Sequence, residues 1–257
     1  MADDRFAATA RVYGRAAAEM FAQLHVLVVG IGGVGSWAAE ALARNGVGEI
    51  TLIDNDDIAS SNINRQIHAL ETTLGRQKVK VMAERIATIN PACRCHPIDD
   101  LLVSNNLDRY LGQGYDYVID AIDSIRFKAD MIYWCKRNKL PIVTTGGAGG
   151  ITDPTTVTVK DLTLTHNDPL AAKVCHRLRA HYGWSRNPKR RFGVECVYST
   201  QQPLYPRHDG SVGHEKPGKA GVTLDCATGY GSSVVVTATF GMVAAARVLD
   251  RTRQKLC

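Results

Sequence analysis

The sequence has no CxxC pair, no internal repeat and no low-complexity block, and aromatic residues make up only 7% of its 257 positions. Without CxxC pairs it lacks the ligand spacing of a structural zinc ribbon. The seven cysteines, at 93, 95, 135, 175, 196, 226 and 257, are odd in number and scattered. That pattern excludes a disulfide-stapled scaffold and fits reduced thiols. The opening MADDRFAATARVYG has neither a basic n-region nor an apolar h-region, so a secretory leader is not expected and the expected location is the cytoplasm. With 45% hydrophobic and 22% charged residues, wholesale disorder and collagen-like structure are excluded as well.

Charge of one sign is missing from a long stretch. Between Pro169 and Val194 there is no acid, while Lys173, Arg177, Arg179, Arg186, Lys189, Arg190 and Arg191 all occur, interleaved with Tyr182, Trp184 and Phe192. The net charge of +6 is correspondingly lopsided: residues 1–168 hold 17 basic and 20 acidic side chains, residues 169–257 hold 14 and 5. Such a run is either a solvated basic face or a polyanion-binding surface with aromatics for stacking on bases. A second gap, with no charge of either sign, runs from Cys226 to Ala246. Its Gly, Ser and Thr content and its acidic as well as basic flanks point to a buried or subunit-interface helix over 226–249 rather than a membrane span.

What is present in the first 150 residues alternates between strand and helix signals. LHVLVVG (24–30), EITLID (49–54), CRCHPI, YDYVIDAID (115–123) and LPIVTTGG (140–147) read as strands. GGVGSWAAEALARNG, GRQKVKVMAERIATIN and SIRFKADMIYWCKRN read as helices, the first stopped by Asn45-Gly46 and the second by Pro91. The alternation predicts an α/β fold, a Rossmann-like, doubly wound and mainly parallel sheet with helices on both faces. Residues 1–150 would form an ATP-binding part. Residues 151–257 would form a substrate-facing basic extension ending in the apolar helix, all within one continuous domain.

Gly30-Ile31-Gly32-Gly33-Val34-Gly35-Ser36 fits G-x-G-x-x-G between a strand and a helix, the pattern in which backbone N–H groups approach a phosphate. Asp54 closes the second strand, where a ribose-binding acid belongs. Ser61-Asn62-Ile63-Asn64-Arg65-Gln66 and Lys78 then add cations that a dinucleotide would not need. They suit a triphosphate, where charge develops on a departing pyrophosphate. Asp123, at the end of the fourth strand, is placed to hold Mg²⁺ or, alternatively, to cap the following helix. Asp56 and Ser124 flank these positions and join the candidate nucleotide-binding set.

Taken together, GIGGVGSWAAEALARNGVGEITLIDNDDI, SNINRQ, GRQKVKVMAERIATINP, YDYVIDAIDS and PIVTTGGAGG resemble the ubiquitin-activating-enzyme-like adenylyltransferases. Further blocks, among them NRQIHALETTLG, TTGGAGGITDPT, NDPLAAKV, GVECVYST and LDCATGYGS, resemble the branch that acts on threonylcarbamoyladenosine in tRNA. The resemblance implies a homodimer that binds Mg-ATP and adenylates a carboxylate. It places Gly32 and Gly35 in the phosphate loop, Asp54 on the ribose, Asn62 and Arg65 on the phosphates, Lys78 on the leaving group and Asp123 at the metal. Arg11 of the partner subunit, or Arg15 as the alternative, would complete the site. The implied substrate is a tRNA carrying threonylcarbamoyladenosine, whose threonine carboxylate becomes an acyl adenylate before ring closure. A cysteine desulfurase and its sulfur acceptor are implied as further partners.

The alternative enzyme reading is an adenylyltransferase for the C-terminus of a small sulfur-carrier protein. The absence of the two CxxC pairs usual in that branch counts against it. A nucleotide-binding module without turnover would not need Arg65, Lys78 and Asp123 together. Cys226, and after it Cys196, are candidate nucleophiles if the reaction passes through a thioester, although buried structural thiols are the commoner fate.

Overall fold

The computed structural model describes residues 4–215 and 231–256. Two short helices, α1 (Ala7–Tyr13) and α2 (Arg15–Phe21), lead into β1 (His25–Val29). There follow α3 (Gly35–Arg44), β2 (Glu49–Ile53), α4 (Lys78–Ile89), β3 (Arg94–Ile98), α5 (Leu107–Leu111) and β4 (Tyr117–Asp120). Next come α6 (Ile125–Arg137), β5 (Ile142–Thr145), β6 (Val157–Asp161), α7 (Pro169–His181) and β7 (Glu195–Ser199). A small ribbon, β8 (Tyr205–Pro206) with β9 (Val212–Gly213), precedes α8 (Val234–Arg253).

Seven strands form one sheet in the order β3-β2-β1-β4-β5-β7-β6. All neighbours are parallel except β6 and β7, which are antiparallel. The apolar runs make the central strands because helices cover both faces, so inward and outward side chains are buried alike. On one face Val26, Val28, Ile50 and Leu52 pack against α3 and α8 through Leu42, Phe240 and Val248. On the other, Leu27, Val29 and Val118 meet α6 and α7 through Met131, Ile132 and Leu178. Strand order reverses between β1 and β4, and the crevice at the carboxyl ends of those two strands is where open α/β sheets take ligands.

The chain beyond residue 150 adds β6 and β7 to the same sheet and sends α8 back onto α3. At that crossing a Cβ on Gly241 would lie 2.4 Å from the Val34 carbonyl oxygen and 2.8 Å from the Ala38 nitrogen, so glycine sets the helix separation. Among the described residues no helix is long and apolar enough to cross a membrane. Instead α8 buries Val236, Phe240, Ala244 and Val248, a spacing of four that turns one face inward.

Two expectations are corrected. The terminal helix begins at Val234, not Cys226, and runs past Leu249 to Arg253. Ser233 is extended (φ −129°, ψ 147°) and caps it. Its charged last turns persist because Arg247 and Arg251 both reach Glu195 at the start of β7, at 2.7 and 2.6 Å. Residues 226–230 lie outside the described residues. The fourth strand ends at Asp120 rather than Asp123.

Candidate active site

Leaving β1, the chain turns at Gly30 with φ +86°. A Cβ there would lie 2.9 Å from the Ala121 carbonyl oxygen, so glycine lets the loop pass the segment after β4 closely. At Gly35, the first residue of α3, a Cβ would fall 1.8 Å from the Gly30 carbonyl oxygen, which no side chain tolerates. Gly32 is open. Gly33 is roofed by the Arg65 stem and by Thr237 of α8, each of which would stand 3.3 Å from a Cβ at that position. Val34 caps α3 without a side-chain acceptor, so the helix N-terminus directs its positive end into the loop.

Asp54, just past β2, is clamped to this loop. Its carboxylate accepts from the Ile31 N–H at 2.6 Å and from the Asp56 N–H at 2.9 Å. Burial pushes its pKa above the usual value, against the pull of nearby Lys78. Each carboxylate oxygen has a second lone pair, so two acceptor positions remain for hydroxyl donors.

Ser61 and Asn62 lie in a single 3₁₀ turn, Ser60–Asn62. Asn62 is buried and holds that turn by accepting from the Ala59 N–H at 3.1 Å, while Ser61 is exposed. Arg65 follows half-buried, its guanidinium donating to the Ser61 carbonyl at 2.7 Å and to Asn64 Oδ1 at 3.1 Å. Its own carbonyl accepts from Trp37 Nε1 of α3 at 3.0 Å, which ties the turn to the helix that follows the glycine loop. Lys78 opens α4 and is only 5% exposed, with Nζ 2.7 Å from Asp56 Oδ2. The carboxylate of Asp56 is itself 63% exposed. Asp54, Asp56, Lys78 and the glycine loop therefore form one connected network.

Asp123 lies in the connection between β4 and α6, exposed, three residues beyond the strand. The acid that does end β4 is Asp120, which is fully buried and paired with Lys128 Nζ at 2.8 Å. Thr144 Oγ1 donates to Asp120 at 2.6 Å. This sealed pair anchors the turn that presents Asp123. Ser124, not Asp123, is the N-cap of α6, and it makes no side-chain cap bond.

Arg11 and Arg15 are exposed, on α1 and at the start of α2. Cys196 is fully buried on β7 and its thiol is pushed well above its usual pKa by burial, so it does not offer a nucleophile. Cys226 lies outside the described residues.

Two residues of the site, Gln66 and His68, are not singled out by sequence pattern. Gln66 is buried with its amide facing Gly32, and its Oε1 has no hydrogen-bond partner. His68 is 1% exposed, both ring nitrogens are unpartnered, and burial with the nearby Lys78 and Arg85 charges pulls its pKa down to about 4. The signal that marks them in the sequence is adjacency to Arg65, which stands out for its charge.

In the basic segment, Arg186, Lys189, Arg190 and Arg191 are exposed. The aromatics there are largely committed inside the protein. Tyr182 stacks on Tyr133 at 4.2 Å and donates to Asp130, and Phe192 takes Trp184 edge-on at 4.5 Å and Arg179 over its face at 5.3 Å. A cavity of about 400 Å³ remains, lined by Lys136, Trp184, Arg190 and Arg191 among others.

Similarity to known proteins follows the whole chain. The tRNA threonylcarbamoyladenosine dehydratase of Escherichia coli is 54% identical over 252 residues, which is 98% of this chain and 94% of that protein. Crystal structures of an Escherichia coli tRNA N6-threonylcarbamoyladenosine dehydratase with ATP and with AMP each superpose with a TM-score of 0.88 at 50% identity. They cover 98% of this chain and 95% and 96% of theirs. The Escherichia coli molybdopterin-synthase adenylyltransferase is 34% identical over 118 residues, 46% of this chain and 47% of that protein. The ThiF family profile matches residues 5–253, and with the glycine loop, Asp54 and Lys78 joined as described, the chain belongs to the ThiF family.

Proposed function

We infer that this chain is an ATP-dependent tRNA threonylcarbamoyladenosine dehydratase. The observation that carries the reading is similarity at 54% identity along 98% of the chain, joined to a glycine loop backed by a buried lysine. A carboxylate is a poor electrophile because hydroxide would have to leave. In the proposed reaction a threonine carboxylate oxygen attacks the α-phosphorus of ATP, pyrophosphate departs, and an acyl adenylate forms. A neighbouring atom of the ureido group then attacks the acyl carbon, AMP leaves with that carboxylate oxygen, and the ring closes with net loss of water. Both reacting groups belong to one nucleoside, so proximity supplies much of the rate.

In this scheme Gly30, Gly32, Gly33 and Gly35 accommodate the phosphates, and Asp54 accepts the ribose hydroxyls with its remaining lone pairs. Ser61, Asn62 and Arg65 line the β- and γ-phosphate side. Lys78 neutralises the departing pyrophosphate, for which the Asp56 carboxylate is its stand-in counter-ion, and Ser124 borders the α-phosphate. Asp123 is a hard oxygen donor at the mouth of the crevice, which fits an ion held by one carboxylate and substrate phosphates. Bound there, Mg²⁺ would offset phosphate charge. A homodimer would bring Arg11 of the partner subunit, or Arg15, to the site, and exposed apolar Val12 beside it supports a covered surface. The exposed basic segment would grip the anticodon arm, the setting would be cytoplasmic, and a cysteine desulfurase with its sulfur acceptor would be a further partner.

The sulfur-carrier alternative rests on relatives that match about half the chain, and the CxxC pairs it calls for are absent. The test is mass spectrometry of nucleosides from threonylcarbamoylated tRNA incubated with the protein and Mg-ATP. The expected product is the modified adenosine lighter by one water, formed only with ATP and alongside AMP. Unchanged nucleoside would refute the tRNA substrate.

A further inference from the structure

At the end of the sheet opposite the glycine loop, where β1, β2 and β3 begin, three side chains from three adjacent strands converge. The register sets His25 beside Glu49, and Thr51 beside His96. Alternation then puts His25, Glu49, Thr51 and His96 on one face. His96 Nε2 lies 2.8 Å from Glu49 Oε1, and His25 Nδ1 lies 3.8 Å from the same oxygen. One ligand atom from each of the three residues falls within 4.8 Å of the others.

We propose that His25 Nδ1, His96 Nε2 and Glu49 Oε1 bind a divalent transition-metal ion of the zinc class. Two imidazole nitrogens and one carboxylate oxygen form a donor set that zinc takes with a fourth position left to water. His25 Nε2 lies 2.8 Å from Thr51 Oγ1. That hydroxyl orients the ring and leaves Nδ1 to the ion, as the outer partner of a ligating histidine does. Arg94 engages Glu49 through Oε2, so Oε1 is the oxygen both imidazoles share. The nearby charges are Arg94 against Glu49 and Asp116, the latter accepting the His25 backbone N–H at 2.9 Å.

Ligand atoms around a tetrahedral ion with bonds of about 2.1 Å stand about 3.4 Å apart, a closure that side-chain rotation provides. His96 is 49% exposed, which gives an ion a route in. Its three ligands come from three adjacent strands, so the ion would act as a staple joining edge strand β3 to β2 and β1. This assignment is independent of the tRNA reading.

The test uses the full chain, stripped with a chelator, dialysed and titrated with Co²⁺ and then Zn²⁺. The expected result is one equivalent of Co²⁺ with a visible d–d spectrum lacking thiolate charge transfer, displaced by Zn²⁺, and a rise in Tm with Zn²⁺. His96→Gln alters a half-exposed edge position and Glu49→Gln keeps the side-chain volume; each should lose tenfold or more in affinity while retaining the far-ultraviolet circular dichroism of the parent. Absence of Co²⁺ uptake at micromolar concentrations, or equal uptake by folded His96→Gln, would reduce the cluster to an Arg94–Glu49–His96 ion network and overturn the proposal.

Discussion

The nucleotide end and the basic segment both carry cations, and they hold them by opposite means. Lys78 is buried and fixed on Asp56, and Arg65 is tethered by the Ser61 carbonyl while its own backbone is tied to Trp37. In the basic segment Arg186, Lys189, Arg190 and Arg191 are exposed, Arg191 donating to the Pro188 carbonyl at 3.0 Å, and the loop beneath them is pinned by Phe192 and by Lys136 Nζ on the Gly193 carbonyl at 3.0 Å. Buried, pre-aligned cations act on one developing charge at one position. Exposed cations are screened and mobile, so they supply attraction that depends on salt and tolerates many poses. On the proposed reading, the first region would direct the reaction and the second would capture the tRNA.

That contrast breaks first at Gly35. Gly35→Ala places a methyl against the Gly30 carbonyl oxygen, and the expected cost is about 3 kcal/mol or more in unfolding free energy. Urea denaturation measures it, and an unchanged midpoint would mean the loop yields freely. Lys78→Met should lower AMP formation by roughly 100-fold with the fold intact, the scale of losing one pre-aligned charge contact. A turnover near that of the parent would take Lys78 out of the leaving-group role.

His68 sharpens the same comparison through pH. Its folded pKa of about 4 lies below the ordinary 6.5, so the unfolded chain binds the proton first. Its contribution is therefore complete above pH 6.5, is lost as pH falls from 6.5 to 4, and changes no further below that. The loss is at most about 3 kcal/mol. His68→Asn should flatten the stability profile in that window, and an unaltered slope would assign the pH response to other groups. The smallest effect belongs to the exposed region: Arg190→Ala with Arg191→Ala should weaken tRNA binding and reduce the slope of log K against log salt by about 1 to 2. An unchanged slope would leave this segment a solvated face.

The parallel sheet is legible in the sequence because a strand buried on both faces must be a short, continuous apolar run, and LHVLVVG and EITLID are such runs. The glycine loop is legible because its residues are contiguous. The end of β4 is not. Asp120 and Asp123 both follow the apolar run, and only Lys128, eight residues on in α6, decides which acid is sealed in the core. Gln66 and His68 carry no pattern of their own because burial is a property of neighbours, here the glycine loop and α4. The aromatics of the basic segment look available for stacking in the sequence, whereas Tyr133 and Asp130, from α6, occupy Tyr182 in the fold.

By itself the sequence determined the alternation of strands and helices, the glycine loop and the excess of positive charge after residue 168. Each of these is local, set by residues within a few positions of one another. Tertiary structure alone decided which acids are buried, which cations are fixed, and that α8 crosses α3 at Gly241 and lays Thr237 over Gly33 of the glycine loop. It also brought His25, Glu49 and His96 together from three strands. These outcomes depend on contacts between residues far apart in the chain, and no local pattern encodes the desolvation and pairing that such contacts impose.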